Sequence, residues 1–370
     1  MAIKITEFPE DLPQMDDFRS IVLNQTPLID VRAPVEFTQG AFASSCNLPL
    51  MNDEERHKVG ICYKEHGNEV ATKLGHQLVC ERTREPRIES WLAFIDKNPD
   101  ALLYCFRGGQ RSKISQQWLM EQGRSIVRLK GGYKAFRRYL IDFVESTPAL
   151  LTQRDIQPLV LAGRTGSGKT LVIQRVKHAI DLEGLAHHRG SSFGRHATPQ
   201  PSQIDFENQL AMSLIRFLET AENHLVLEDE GRNIGSVAMQ KSLFDFLKSG
   251  EYIVVDTPLA DRIEITFDEY VLQGQKEYPT VEAWIEFMDA ALFRIKKRMG
   301  GERYQRVVTQ FAMANTLQSQ SGNYQGHLVW IETLLTEYYD PMYDYQMQKN
   351  QKPVCFKGSM DEVVEFLQAY

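Results

Sequence analysis

Along the chain, short uninterrupted apolar runs, each closed by a charge or a glycine turn, alternate with stretches whose apolar positions recur at helical spacing. Residues 26–32 (TPLIDVR), 101–106 (ALLYCF) and 125–132 (SIVRLKGG) are runs of the first kind. Runs without polar alternation suit strands buried on both faces, the habit of parallel sheets. Within 112–122, Ile114, Trp118 and Leu119 recur at helical spacing, and residues 133–144 predict a second helix that closes the unit. This alternation predicts an open parallel sheet flanked by helices. Residues 145–157 (ESTPALLTQRDIQ) carry a proline, several polar residues and no strong period, so the linker is placed there, over 147–157. A first domain over 1–146 and a second over 158–370 follow. In the second, 157–163 (QPLVLAG), 224–230 (HLVLEDE) and 252–258 (YIVVDTP) predict buried strands. From about Val281 the pattern turns helical and charged, which gives an α/β domain with a helical C-terminal part.

Composition narrows the class. A length of 370 residues suits two or three domains, and 42% hydrophobic with 25% charged residues is ordinary globular usage. No apolar run reaches the roughly 18 residues of a spanning helix. The N-terminal MAIKITEFPEDLPQMDD is acidic and lacks the apolar core of a signal peptide, so a cytoplasmic protein without a membrane anchor is expected. The five cysteines (Cys46, Cys62, Cys80, Cys105, Cys355) are odd in number and widely spaced, which suits free thiols in a reducing compartment. Their spacing suggests no zinc site. A net charge of -7 favours solubility, and a local basic groove on such a chain can still serve a polyanion.

Gly163, Arg164, Thr165, Gly166, Ser167, Gly168, Lys169 and Thr170 match Gly-x-x-x-x-Gly-Lys-Ser/Thr at every required position, after an apolar strand and before a helical stretch, LVIQRVKHAI. The glycines let backbone N–H groups curl around an oxyanion, and the helix N-terminus adds its dipole. Lys169 would reach terminal phosphate oxygens and Thr170 would help to hold Mg²⁺. A carboxylate at a neighbouring strand end should assist. Asp229, within Glu228-Asp229-Glu230, is the first candidate and Asp256 the second. The motif implies a phosphate ligand without implying nucleotide hydrolysis. No tightly bound cofactor is expected.

A second loop carries a nucleophile. Cys105, Phe106, Arg107, Gly108, Gly109, Gln110, Arg111 and Ser112 join a strand to a helix. A sulfur at a helix N-terminus with Arg107 and Arg111 nearby is favoured as thiolate and sits in an anion pocket. Such a group can attack sulfur, selenium or phosphorus. LIDVRAPVEFTQGAF (28–42), SCNLPL (45–50) and YCFRGGQRS (104–112) resemble the signature segments of the rhodanese family, with Asp30, Arg32 and Glu36 in the first and Cys105 as nucleophile. Arg111 lies six residues after Cys105, where many rhodaneses have five. This longer loop resembles that of the cell-division-cycle phosphatases and suits a phosphate-sized or selenium-bearing ligand better than bare sulfur.

With VGICYKEHGNEVATKLG (59–75), LAHHRGSSFG (185–194), LEDEGRNIG (227–235) and VVDTPLADRIE (254–264), these motifs resemble, in order and combination, the bacterial tRNA 2-selenouridine synthase family. The resemblance spans about residues 27 to 345. It implies a rhodanese-like domain fused to a P-loop kinase-like domain. It also implies replacement of sulfur by selenium in wobble 2-thiouridine of tRNA, with selenophosphate as donor, through S-geranylation by geranyl diphosphate. An allylic diphosphate needs a diphosphate cradle, which the P-loop offers, and Cys105 with Arg107 and Arg111 would handle the selenium donor.

Arg189, Ser191 and Ser192 lie in a loop that faces the acceptor in P-loop kinase-like folds, and Arg232 follows Glu230, so these are candidate substrate contacts. The candidate tRNA footprint is Arg294, Lys296, Lys297, Arg298, Arg303 and Arg306, with Arg137 and Arg138 as further members. Binding there would weaken with salt, and Tyr304 offers a stacking platform for a splayed base. The other readings are an ATP-dependent kinase with a regulatory rhodanese-like domain, a phosphatase using Cys105 and Arg111, and a non-catalytic binding module.

Overall fold

The computed structural model describes residues 12–350 and 353–370. Most of the N-terminal stretch in which no signal core is predicted lies outside the described residues. The chain forms two compact units: residues up to Val144 with Ser202–Glu219, and Glu145–Pro201 with Thr220–Tyr370. No helix among the described residues is long and apolar enough to cross a membrane.

The first unit runs β1 (Gln14–Met15), α1 (Phe18–Leu23), β2 (Leu28–Asp30), α2 (Pro34–Thr38), β3 (Ser45–Asn47), α3 (Asp53–Leu78), α4 (Glu81–Lys97), β4 (Leu102–Tyr104), α5 (Gln110–Glu121), β5 (Val127–Leu129) and the start of α6 (Gly132–Gln153). Its parallel sheet has the order β1-β5-β4-β2-β3. Leu28, Ile29, Leu102 and Leu103 are buried, as the apolar runs require. The strand order reverses between β2 and β4, and the C-terminal ends of strands at such a switch point form a crevice for ligands.

The second unit continues from α6 through β6 (Gln157–Ala162), α7 (Lys169–Arg175) and α8 (Leu182–Ala186). After α9 (Gln203–Phe217) come β7 (His224–Glu228), a hairpin of β8 (Asn233–Ile234) and β9 (Val237–Ala238), α10 (Lys241–Leu247) and β10 (Glu251–Val255). A helical region follows: α11 (Leu259–Phe267), α12 (Gly274–Lys276), α13 (Val281–Met299), α14 (Gly301–Ser321), α15 (Gly326–Leu334) and α16 (Asp340–Asn350). β11 (Val354–Gly358) and α17 (Met360–Ala369) end the chain. The parallel sheet has the order β11-β10-β6-β7, so its switch point lies between β6 and β10. Trp284, Phe311, Trp330 and Ile331 centre a separate core for the helical region.

Three sequence expectations are corrected. The segment read as an irregular linker over 147–157 is helical as far as Gln153. Phe136, Leu140, Val144 and Leu151 keep a buried stripe along α6, each worth about 1.5–3 kcal/mol when fully buried, which outweighs Pro148. The helix after the P-loop stops at Arg175 rather than reaching residue 180, and Ile180 bridges Leu227 instead. Helix α9, inside the stretch read as the second domain, packs with the first unit. There Asp205 accepts from the Ala41 N–H at 2.7 Å and Asn208 donates to the Ala41 carbonyl at 2.8 Å. Both backbone groups of Ala41 are thus satisfied by one helix face.

Candidate functional site

In the first unit Cys105 directly follows β4, at the switch point. Its carbonyl accepts from Tyr133 N–H and that of Phe106 from Lys134 N–H, both at 2.9 Å, so the first turn of α6 holds the loop. Gly132 makes this approach possible. Its φ is +61°, and a Cβ there would stand 2.2 Å from the Cys105 carbonyl oxygen. The buried Arg128 braces the loop from beneath, donating to the Gly108 carbonyl and to Gln116 Oε1, each at 2.7 Å. Cys105 Sγ donates to Ser112 Oγ at 3.2 Å, and Ser112 Oγ donates to the Gly109 carbonyl at 3.1 Å, which fixes the sulfur at the start of α5.

Arg111 is engaged by a carboxylate. Its two terminal nitrogens donate to Glu36 Oε2 at 2.5 Å and Oε1 at 3.1 Å. Burial pushes the Glu36 carboxyl up, but hydrogen bonding and charge from Arg111 outweigh it and hold Glu36 below the usual range. Asp30 and Arg32, the other signature pair, form a buried chelate in which Arg32 also covers the Tyr133 ring at 3.9 Å. Arg32 also donates to the Gly40 carbonyl at 2.9 Å and lines the same cavity as Cys105. Arg107 is exposed. A cavity of about 990 Å³ opens beside the loop, lined by Cys105, Arg107, Arg111 and one face of α3.

In the second unit the P-loop (163–170) follows β6. Thr257, just after β10, donates to the Ser167 carbonyl at 2.8 Å, and the buried Arg262 donates to the Thr165 carbonyl at 2.9 Å. Asp340 grips the other end of that guanidinium with both oxygens, at 2.6 and 2.9 Å. Arg164 pairs with Asp344. Lys169 Nζ rests on the Gly163 carbonyl at 3.3 Å, and Thr170 Oγ1 donates to Glu183 Oε2 at 3.2 Å.

Sequence reasoning missed Glu183, which comes from the short α8. The two carboxylates expected beside Thr170 are engaged elsewhere: Asp229 with Lys248 and Tyr252, and Asp256 with Lys357. Carboxyls nonetheless crowd the loop. A Cβ on Gly190 would meet Glu183 and Glu230 at once, at 2.1 and 2.5 Å, so these two converge. Burial, then repulsion by Glu183, pushes Glu230 up to about 8. Burial pushes Glu269 up to about 7 against the attraction of Arg189. Glu228 is raised by burial and by Asp181 and Glu183. Ser167 Oγ and Glu228 Oε1 are buried with no hydrogen-bond partner among the described residues.

Of the candidate substrate contacts, Arg189 pairs with Glu269 and Glu277, Ser191 Oγ lies 2.9 Å from the Tyr270 hydroxyl, and the Ser192 carbonyl accepts from Arg294. Arg232 is exposed and bonds the Met239 carbonyl across the hairpin. Of the candidate tRNA contacts, Lys296, Lys297 and Arg298 form the last turn of α13, with Lys296 over the Tyr304 ring at 5.1 Å. Arg303 and Arg306 both reach Glu337. Arg137 is tied to Glu207 and Asn208, and Arg138 to Asp142.

Residues 156–370 match the profile described as tRNA 2-selenouridine synthase AAA domain, and residues 9–139 match the rhodanese-like domain. A protein of Hydrogenovibrio crunogenus described as tRNA 2-selenouridine synthase is 57% identical over 96% of this chain and 99% of its own length. One of Sulfurovum sp. with the same description is 54% identical, covering 98% of this chain and 100% of that one. A third, of Marinobacter nauticus, is 45% identical over 96% and 97%. With both units, both loops and nearly the full length accounted for, the chain belongs to the tRNA 2-selenouridine synthase family.

Proposed function

We propose that this chain is a cytoplasmic tRNA-modifying transferase that replaces the sulfur of wobble 2-thiouridine with selenium in two steps, one on each loop. The observation that carries the reading is the presence, in one family member, of two anion loops with opposite surroundings: cations around Cys105 and carboxyls around Thr170.

The P-loop takes geranyl diphosphate. Its backbone N–H groups cradle the diphosphate, and Lys169 leaves the Gly163 carbonyl for a phosphate oxygen. Thr170 with Glu183, and Glu230 alongside, fit a Mg²⁺ ion shared with the diphosphate, since Mg²⁺ typically uses one or two carboxylates plus substrate phosphates. The buried, unpartnered Ser167 hydroxyl fits the same polyanion. The ion, when bound, neutralises charge on the leaving diphosphate. The uridine sulfur attacks C1 of the geranyl group, the C1–O bond breaks, diphosphate leaves with the electron pair, and the N3 proton passes to solvent.

The S-alkyl group is a better leaving group than a thiocarbonyl sulfur. Selenophosphate, oriented by Arg107, Arg111 and Cys105, attacks C2 through selenium. The displaced pair moves to N3 and returns to expel geranyl thiolate, which leaves as the thiol. Water then attacks phosphorus. The Se–P bond breaks, phosphate departs, the pair left on selenium forms C2=Se as the C2=N3 pair shifts to N3, and N3 takes a proton from solvent to give 2-selenouridine.

Mass spectrometry of nucleosides tests this, with thiolated tRNA given geranyl diphosphate alone, selenophosphate alone, or both. S-geranyl product with the first and selenouridine with both are expected. No change in any reaction, with tRNA bound and the protein folded, overturns the reading in favour of an ATP-dependent kinase.

A further inference from the structure

The cavity beside Cys105 is much larger than a selenophosphate needs and lies at the upper end of the range for small-molecule sites. Its two kinds of lining point to its occupant. Cys105, Leu50, Met51, Val79 and Trp118 belong to one buried apolar cluster, with Val59 and Ile114 packed against it, and all of them line the cavity. The lining also carries Arg56, Lys64, Arg107 and Arg111 and, among the described residues, one carboxylate, Glu36, which holds Arg111 and lies 3.7 Å from Arg56. Tyr63, a lining residue on α3, is 58% exposed, a ring offered to solvent. A ligand matched to these surfaces carries phosphates, a stackable base and an apolar chain.

We infer that this groove binds the acceptor nucleotide of the RNA in its S-alkyl form, with the alkyl chain against Met51, Val59, Ile114 and Trp118 and the flanking phosphates at Arg56, Lys64 and Arg107. The inference rests on the two-step reading above and adds where the intermediate is held. An apolar wall beside the cysteine would make the alkyl chain a handle that brings C2 to the selenium donor, and would disfavour the unalkylated RNA. Cationic side chains supply sequence-independent affinity for the RNA backbone, and the exposed ring supplies stacking.

The test is binding of anticodon stem-loops carrying 2-thiouridine, S-methyl-2-thiouridine or S-geranyl-2-thiouridine to the full chain, followed by fluorescence anisotropy. The S-geranyl loop is expected to bind about tenfold tighter than the S-methyl loop, as for removal of a modest apolar area from water. Val59→Gln and Ile114→Gln, at half-buried positions, should erase that difference and leave the S-methyl loop unchanged. Lys64→Glu should weaken all three loops alike and reduce the salt dependence. Equal binding of S-geranyl and S-methyl loops by the unaltered chain overturns the assignment, as does a preference that survives both glutamine variants. These binding results decide the groove by themselves. Whether selenophosphate then converts the bound S-geranyl loop to selenouridine decides the two-step reading separately.

Discussion

In the first unit the loop after β4 presents a sulfur among arginines, and the one carboxylate among the described residues lining its cavity, Glu36, is engaged by Arg111 and Arg56. In the second, the loop after β6 presents amides and a lysine, with Glu183, Glu228, Glu230 and Glu269 around it. Both loops sit at the switch point of a parallel sheet, and both are braced by a buried arginine that donates to a loop carbonyl, Arg128 to Gly108 and Arg262 to Thr165. The scaffold solution is therefore shared and the electrostatics are reversed. An arginine-rimmed loop accepts a small anion directly. A carboxyl-rimmed loop accepts one only with a cation, which suits a metal-bridged diphosphate.

The largest expected effects come from removing the principal functional group of each loop, the lysine of one and the sulfur of the other. Lys169→Ala should lower geranylation by about two to three orders of magnitude, the usual loss for a preorganised charge-stabilising group. Cys105→Ser should reduce selenation to background while geranylation of thiolated tRNA is retained. Loss of both activities in folded Cys105→Ser protein would break the division of labour. Next in size, Glu36→Gln should release Arg111 and lower kcat/KM for selenophosphate about tenfold without changing geranylation.

A pH experiment sharpens the contrast. Glu230 is pushed up to about 8 in the folded chain from an ordinary 4.5. Its contribution to stability is fully present below about pH 4.5 and is lost as the pH rises through 8. Glu230→Gln should therefore raise Tm at pH 8.5 by several degrees and leave it nearly unchanged at pH 4.5. Mg²⁺ with inorganic diphosphate should shrink the difference by favouring the ionised carboxylate. A Tm gap that does not vary with pH would contradict the carboxyl-rimmed description. The smallest effect is expected at the surface. Arg306→Ala removes an exposed pair with Glu337, worth about 0–1 kcal/mol, so Tm should barely move. Should α14 touch tRNA, the same variant weakens binding at low salt and little at high salt.

The features legible in the sequence were those with a local signature. Uninterrupted runs such as Leu28–Asp30 and Leu102–Tyr104 gave themselves away because a strand buried on both faces has no polar alternation. The P-loop and the cysteine loop announce their chemistry in consecutive residues. What was not legible depends on distant partners. Glu183 sits on a five-residue helix with no strand before it, so nothing nearby marks it as the carboxylate on Thr170. β11 is a sheet strand because Tyr252–Val255 lies alongside it, about a hundred residues earlier in the chain. Helix α9 has an apolar face, but a face does not say which core it joins. The continuation of α6 was hidden because Glu145, Ser146 and Pro148 dilute the pattern and the buried position between Val144 and Leu151 is the polar Thr147.

The measurement closest to the central claim is a bypass. Anticodon stem-loop already carrying S-geranyl-2-thiouridine is given selenophosphate and either Lys169→Ala or Cys105→Ser protein, and the nucleosides are read by mass spectrometry. Two loops with separate duties predict that Lys169→Ala forms selenouridine at close to the unaltered rate and that Cys105→Ser forms none. Failure of folded Lys169→Ala on the pre-alkylated loop, or selenouridine from Cys105→Ser, would contradict the account.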